Sequence, residues 1–501
     1  MAITNGPNLN SVPAPGQQAL SSNYLDLSSE AGKGWAQQYV PDLMEKEAEV
    51  FGPRTISGFL AQVGAEEAMT ADEVVWAEQG RLHFSYKGHV HSTGGGLDSS
   101  SQIDITKDID GNTDVTSGNH GIRVNDTIIV ADSTNGVVKG LVVKVATDRI
   151  DFAVYGAAAV TGTTSGDATT ILVYGSEYGK GVSYFNAAGD ASATTRGANE
   201  PAFKTFRNKP VIIKDYYEVS GSDASRIGWV EVSSEMGQSG YLWYLKAEAD
   251  TRARFTDYLE MAMLEGELGG KSNDITEESF VMGGDGTDAS TKETGTEGLF
   301  AAIEDRGNLT SGVTGVNAAT DLAEFDAILA EFDKQGAIEE YMMFVNRSTS
   351  LAVDDMLASM NSYGAGGTSY GVFDNDEDMA LNLGFSGFRR GSYDFYKSDF
   401  RYLNDLATRG GINAAAGANA IRGVMIPAGM SSVYDQTVGQ SIKRPFLHVR
   451  YRASQTDDRR MKSWVTGSVG AATSALDAME LHFLSERCLV TQGANNFMLM
   501  K

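Results

Sequence analysis

Cysteine is nearly absent: Cys488 is the single one in 501 residues, so no internal disulfide can form and the chain is expected to mature in a reducing compartment. Lys and Arg are scarce too, 40 against 66 Asp and Glu, leaving a formal charge of −26. Binding to nucleic-acid phosphates needs an excess of cations to release counterions, so sequence-specific nucleic-acid binding is not expected. No run approaches eighteen apolar residues, and no Lys or Arg precedes Lys33, which speaks against a membrane-spanning helix and a secretory signal. The patterns G-x-S-x-G, H-E-x-x-H and C-x-x-C are missing. No enzyme activity, no cofactor and no membrane contact are expected. Nine prolines against 57 glycines point to many turns and to loops passing close to other backbone.

What is present suffices for several folded domains: 42% of residues are apolar and 9% aromatic. The organising stretch runs from Gly237 to Gly270, without proline and rich in Leu, Met, Ala, Glu, Lys and Arg. It predicts one helix over 238–268, roughly 45 Å long. Glu248 with Arg252, and Asp250 with Arg254, stand at the i,i+4 spacing with the acid first, which supports a helix weakly. Tyr241, Leu245, Phe255, Leu259, Ala262 and Met263 share a face that the Glu248/Arg252 pair interrupts. A split stripe implies different neighbours at the two ends.

Residues 1–57 read as a polar, extended arm with one short helix starting near Pro41. In 70–90 and again in 203–232, strand-and-turn text suggests the two sides of one long hairpin. Between them, at about 92–185, lie short β-branched runs separated by Gly, Thr, Ser and Asp, the texture of a small all-β barrel or sandwich inserted at the hairpin tip. After the long helix, DLAEFDAILAEFDKQG, EYMMFVN and STSLAVDDMLASM give an αβα order, with Leu322, Phe325, Ile328, Leu329 and Phe332 on one helical face. The last segment, IKRPFLHVRYRASQ through MELHFLSERCLVTQGANNFMLM, alternates and reads as strands returning to pair near the start of the chain. The fold class is α+β with discontinuous domains.

Ligand motifs are weak. GELGGKS at Gly266–Ser272 has three residues between its glycines where a phosphate loop needs four, and it follows a helix, so it reads as a helix end. His89 and His91 share a strand face without a second His or Cys cluster. Asp374, Asp376 and Asp378 resemble half of a calcium loop but lack its glycine and closing glutamate, and are only a weak metal candidate. Carboxylates are too numerous for a glycosidase pair to be told from spacing. One basic cluster stands out: Lys443, Arg444, Arg450, Arg452, Arg459, Arg460 and Lys462. It reads either as a solvated strand face paired with Asp457 and Asp458 or as a contact with an acidic surface of a neighbouring subunit.

The texts ADEVVWAEQGRL, FRNKPVIIKDYYEVSGSDASRIGWVE, GYLWYLKAEADTRARFTDYLEMAMLEGEL and EYMMFVNRSTSLAVDDML, in that order, resemble the major capsid proteins of tailed bacteriophages with the Hong Kong 97-type (HK97-like) fold, among them those of crAss-like and related short-tailed phages. The resemblance implies an N-terminal arm at 1–57 and an E-loop region at 58–235 carrying the inserted β-domain, about 92–185. It further implies a P-domain at 236–297 with its spine helix, an A-domain at 298–430 and a return to the P-domain at 431–501. No long charged leader of a fused scaffolding domain is visible before the arm. The implied function is self-assembly into hexamers and pentamers of an icosahedral virion head enclosing double-stranded DNA, built in the host cytoplasm, with portal, scaffolding and decoration proteins as further partners.

Arm and hairpin have strand-like text but little private core, so they would gain stability by lying over adjacent subunits. Candidate inter-subunit contacts are Arg207, Lys209, Ile212, Lys214, Asp215, Tyr216 and Val219, with Lys443, Arg444, Arg450, Arg452, Arg459 and Arg460 as a second set. Competing readings are a secreted carbohydrate-active enzyme or adhesin with β-modules, and another structural phage protein such as a portal or tail component.

Overall fold

The computed structural model describes residues 59–60, 65–91, 101–181 apart from 118, 134–135, 157–159 and 161–163, 203–224, 231–233, 239–269, 295–360 apart from 337, 387–415, 419–469 apart from 429 and 436–439, and 473–501. The expected arm at 1–57 and the triplet Asp374, Asp376 and Asp378 lie outside these residues. The chain forms two compact units, residues 1–76 with 206–501, and residues 77–205.

In the first unit a five-stranded sheet is built on the last long strand. Its members are β1 (Ala65–Met69), β2 (Val211–Ser220), β3 (Leu447–Arg452), β4 (Lys462–Gly467) and β5 (Ala478–Thr491). Arg487 of β5 pairs with Val211 on one side and Tyr451 on the other, so β2 and β3 flank β5 on opposite edges. β4 pairs with residues 479–484 of β5 on the edge it shares with β3. β1 runs parallel to β3. Every residue of β5 from Phe483 to Thr491 is buried, which is why its C-terminal half reads as a continuous run instead of alternating.

The long helix is α1, Leu242–Glu265, shorter than the expected 238–268. Ser239–Tyr241 instead pairs as a strand with Glu231–Ser233, consistent with the poor helix propensity of Gly237, Ser239 and Gly240. The C-terminal half of α1 meets two different neighbours, both beyond the Glu248/Arg252 break; the side chains of Tyr241 and Leu245, at the other end of the split stripe, lie outside the described residues. Phe255 and Leu259 pack on Leu481, Phe483 and Ile213 of the five-stranded sheet, whereas Met263 and Leu264 join Leu299, Phe300 and Ile303 of α2 (Leu299–Arg306). On the N-terminal side of both, Arg252 lies over the Phe483 ring at 6.0 Å and 3.9 Å from Glu248. Arg254, placed with Asp250 by its spacing, lies 3.4 Å from Asp215 of β2. Where α1 hands over to α2 the backbones nearly touch: Gly298 N–H donates to Gly266 O at 2.8 Å, and a Cβ on Gly298 would lie 2.6 Å from Gly266 N. Only glycine fits there.

A six-stranded sheet follows, in the order Asn308–Thr310, Met498–Met500, Gly423–Pro427, Glu340–Val345, Tyr393–Asp399, Gly387–Arg390. It separates two cores. Tyr341, Met343 and Val345 point to the helices α3 (Ala318–Gln335) and α4 (Arg347–Met360), with Phe325, Ile328 and Phe332 of α3 and Val353, Met356 and Leu357 of α4. Met342 and Phe344 point the other way, to α1 and α2. The sheet is thus buried on both faces, the arrangement the αβα order predicts. The chain's final strand, Met498–Met500, pairs in this sheet with 308–310 and 423–425 and does not return to pair near the start as its alternation suggested. α3 starts on Asn317, whose side chain accepts from Thr320 N–H at 3.0 Å, and ends on Gly336 in the left-handed region.

The second unit contains a closed barrel with strand order Ser85–Val90, Ser101–Asp108, Arg149–Val154, Gly136–Val145, Asp126–Asp132, Thr169–Ser176. Ile103, Ile105, Ile128, Val130, Val142, Ile150, Phe152 and Ile171 fill it. Its strands begin at Ser85, earlier than the composition shift near Val90, because Tyr86 and Val90 face the interior while Lys87 and His89 keep the outward text of an exposed hairpin. Outside the barrel, Val74–Gln79 and Phe203–Asn208 pair as a two-stranded ribbon. The ribbon residues of the first unit are anchored by Asn208, which is fully buried. Its amide donates to Leu489 O at 2.6 Å and Glu297 O at 2.9 Å and accepts from Glu297 N–H at 2.8 Å. Beside it the Arg306 guanidinium lies over Phe206 at 4.5 Å and Trp76 at 5.7 Å.

Candidate assembly surface

β2 alternates without a break: Ile212, Lys214, Tyr216, Glu218 and Ser220 are exposed, while Val211, Ile213, Asp215, Tyr217 and Val219 are half-buried or buried. The inner set faces α1, with Ile213 against Phe255 and Leu259 and Asp215 near Arg254. The outer set faces away, and strand register extends it across the sheet. Lys214, Leu484 and Lys462 form one row; Tyr216, His482 and Trp464 the next; Glu218, Glu480 and Thr466 the third. Tyr216 and His482 stack at 6.1 Å, His482 and Trp464 at 5.1 Å. Thr466 Oγ1 donates to Glu480 at 2.8 Å and lies 2.7 Å from His482 Nε2. Large apolar surface is left uncovered here: Ile212 is 50% exposed, Tyr216 57% and Trp464 36%.

The sequence-expected contacts divide accordingly. Ile212, Lys214 and Tyr216 lie together on the outer face. Val219 is a core residue, and Asp215 lies on the α1 side. Arg207 lies 3.6 Å from Glu73, and the backbone N–H of Lys209 donates to Asn208 Oδ1. Lys443 and Arg444 belong to the strand Gln440–Pro445, paired with Met430–Asp435, and their side chains lie outside the described residues.

Much of the basic cluster is spent within the chain. Arg450 lies 2.8 Å from Glu67, Arg459 and Arg452 hold the buried Glu486 at 2.9 and 2.7 Å, Arg452 also meets Asp72, and Arg460 meets Glu66. Lys462 takes an expected side-chain partner, Asp457 at 2.6 Å. These pairs clasp the parallel strand β1 to β3 and β5. The sequence offered Asp457 and Asp458 as neighbours, whereas the partners on and after β1 are about 380–395 positions away, a distance pattern reading cannot bridge, and Glu486 lies about 30 positions on, in β5. Glu218, His482 and Trp464 were missed; the i, i+2 recurrence in KDYYE and ELHFL is the signal that places Glu218 and His482 on their strands' outer faces, and register places Trp464 beside His482.

A cleft of about 470 Å³ opens between α1 and the sheet, lined by Glu66, Thr256, Leu259, Glu260, Asp458, Arg460, Met461 and Arg487. Glu66 in it meets both Arg460 and Arg487. Arg487 donates to Ser485 Oγ at 2.9 Å and to Arg460 O at 2.8 Å, and burial lowers its guanidinium's proton affinity despite the nearby Glu66 and Glu260. Glu260 accepts the Leu60 backbone N–H at 3.2 Å. Such a cleft holds the fold together and offers no poised nucleophile. Among the described residues no group of three or more His, Cys, Asp or Glu is placed to hold a metal ion, and no helix is long and apolar enough to cross a membrane.

On the barrel, His91 Nδ1 lies 2.7 Å and His89 Nε2 3.6 Å from Asp104, whose other oxygen accepts from Arg149 at 2.6 Å. Burial alone would raise the Asp104 pKa, but the hydrogen bonds from Arg149 and His91 outweigh it and hold the carboxyl below its ordinary value. Both histidines therefore serve a carboxylate that ties two strands.

No protein-family model matches the chain, and no curated protein matches it. Among solved structures, one of Microbacterium phage Oxtober96 is similar at 9% identity and a TM-score of 0.35, covering 95% of this chain and 99% of that one. The capsid of an empty GTA particle is similar at 9% identity and a TM-score of 0.34, covering 95% and 98%. The mature capsid of bacteriophage PhiM1 gives 8% identity and a TM-score of 0.31 over 62% of this chain and 77% of that one. Likeness this slight carries neither fold nor function to this chain.

Proposed function

We propose that the chain is a shell-forming structural protein of the tailed-phage major capsid class, acting by self-association and not by turnover. The observation that carries this is the outer face of β2, β5 and β4, where Ile212, Tyr216 and Trp464 stand exposed on a rigid sheet backed by α1. Fully covering one such side chain is worth about 1.5–3 kcal/mol, whereas an exposed ion pair contributes about 0.2–1 kcal/mol, so apolar contact supplies the affinity and charge the register. Weak contacts repeated by symmetry make a stable assembly. The sequence resemblance supports the same reading, with an N-arm at 1–57 and the barrel inserted in the E-loop.

In this reading the subunits form hexamers and pentamers of an icosahedral head around double-stranded DNA, with portal, scaffolding and decoration proteins as partners. The charge of −26 keeps the lining from gripping the DNA. The barrel stands on the particle exterior. Electron microscopy and sedimentation of the purified chain test the proposal: multimeric rings or closed shells are expected, and a monomer at high concentration overturns it.

A further inference from the structure

Three rows on the outer face of the five-stranded sheet carry a pattern that self-association alone does not require. The Lys214 row and the Glu218 row lie on either side of the aromatic row Tyr216, His482, Trp464. Lys214 and Glu218 stand four positions apart on one strand, about 13 Å at strand rise, so they cannot neutralise each other. Both are exposed. We propose that this face docks on the same face of a second copy about a two-fold axis running along the aromatic row; the inference rests on the self-association reading and specifies its partner and symmetry.

Two face-to-face dyads keep the strands of the two sheets aligned, and charge chooses between them. An axis parallel to the strands would lay the lysine row on the lysine row and the glutamate row on the glutamate row, and such like-charge juxtaposition is costly. An axis along the aromatic row reverses strand direction. It sets Lys214 of each copy against Glu218 of the other and brings Tyr216 and Trp464 onto their own counterparts. That is the self-complementary patch a two-fold contact needs. The strands of the two sheets then run aligned and antiparallel, one of the ordinary ways sheets stack. Neighbouring groups fit this division. Lys462 is held by Asp457 and lies 6.0 Å from the Trp464 ring, and Glu480 is held by Thr466, which leaves Lys214 and Glu218 as the selective pair.

The test uses the full-length chain with Lys214→Glu, Glu218→Lys and the double swap, each first checked for an unchanged melting profile. Sedimentation should show association of either single variant weakened about tenfold or more, because each puts like charges across the dyad. The double swap should recover wild-type association. An equimolar mixture of the two single variants should recover it too, since the all-acidic and all-basic faces then meet. A residue with a merely structural role could not be rescued by mixing. If the single variants associate as wild type, or if neither the double swap nor the mixture recovers, the dyad is wrong while the shell reading stands. Wild-type chain that stays monomeric overturns the shell reading and the dyad with it.

Discussion

Single residues hold three distinct points of this fold. Asp104 ties Arg149 and His91 across the barrel with a carboxyl held below its ordinary pKa. Its stabilising contribution is complete above the ordinary carboxylate range and is lost as pH falls through the depressed value. Asp104→Asn should therefore lower stability near neutral pH by about 1–3 kcal/mol and shrink the acid-induced loss below about pH 4. Urea melts at pH 7 and pH 3 check this, and a variant as acid-sensitive as wild type would remove Asp104 from that role. Asn208→Ala would strand buried backbone groups at Glu297 and Leu489, costing on the order of 3 kcal/mol. An unchanged denaturation midpoint would contradict the anchor. Burial pushes the Cys488 thiol up to about 12, so thiol reagents should label it only on unfolding. Fast native labelling would show the site to be open.

Elements show where sequence reading succeeds and where it stops. α1 was legible because helix formers dominate Leu242–Glu265, whereas its change of neighbour between Leu259 and Met263 was not, because the Glu248/Arg252 break in the stripe lies before both. Leu259→Ala should cost roughly 2–5 kcal/mol, since Leu259 packs against Leu481 and Phe483; a melt within a degree of wild type would show that the site collapses or that the packing is misassigned. The first barrel strand was hidden because Tyr86 and Val90 point inward from text that alternates like any exposed hairpin. The basic cluster was half-legible. Composition exposed it, but its partners Glu66, Glu67 and Asp72 come from β1 and the turn after it, which only parallel pairing with β3 brings near. The outer rows of β2, β5 and β4 needed register, and register is a product of folding that local pattern only constrains.

At the scale of the molecule, the chain spends much of its polar chemistry on itself and leaves Ile212, Tyr216 and Trp464 exposed together on one sheet face. The cleft beside α1 pairs carboxylate with guanidinium, and the arginines near the C-terminus clasp β1. Exposed on the outer face are Tyr216 and Trp464 between a lysine row and a glutamate row, and Ile212 beyond the lysine row. Since the apolar contact carries the affinity and the exposed charges carry the register, raising salt should weaken assembly only modestly and lower its selectivity. Light scattering across a salt series checks this, and complete dissociation by moderate salt would make charge the main driver. The central claim is self-association, and negative-stain electron microscopy of the purified wild-type chain tests it most directly: the account predicts rings or closed shells of many copies, and a uniform field of single subunits at high concentration would contradict it.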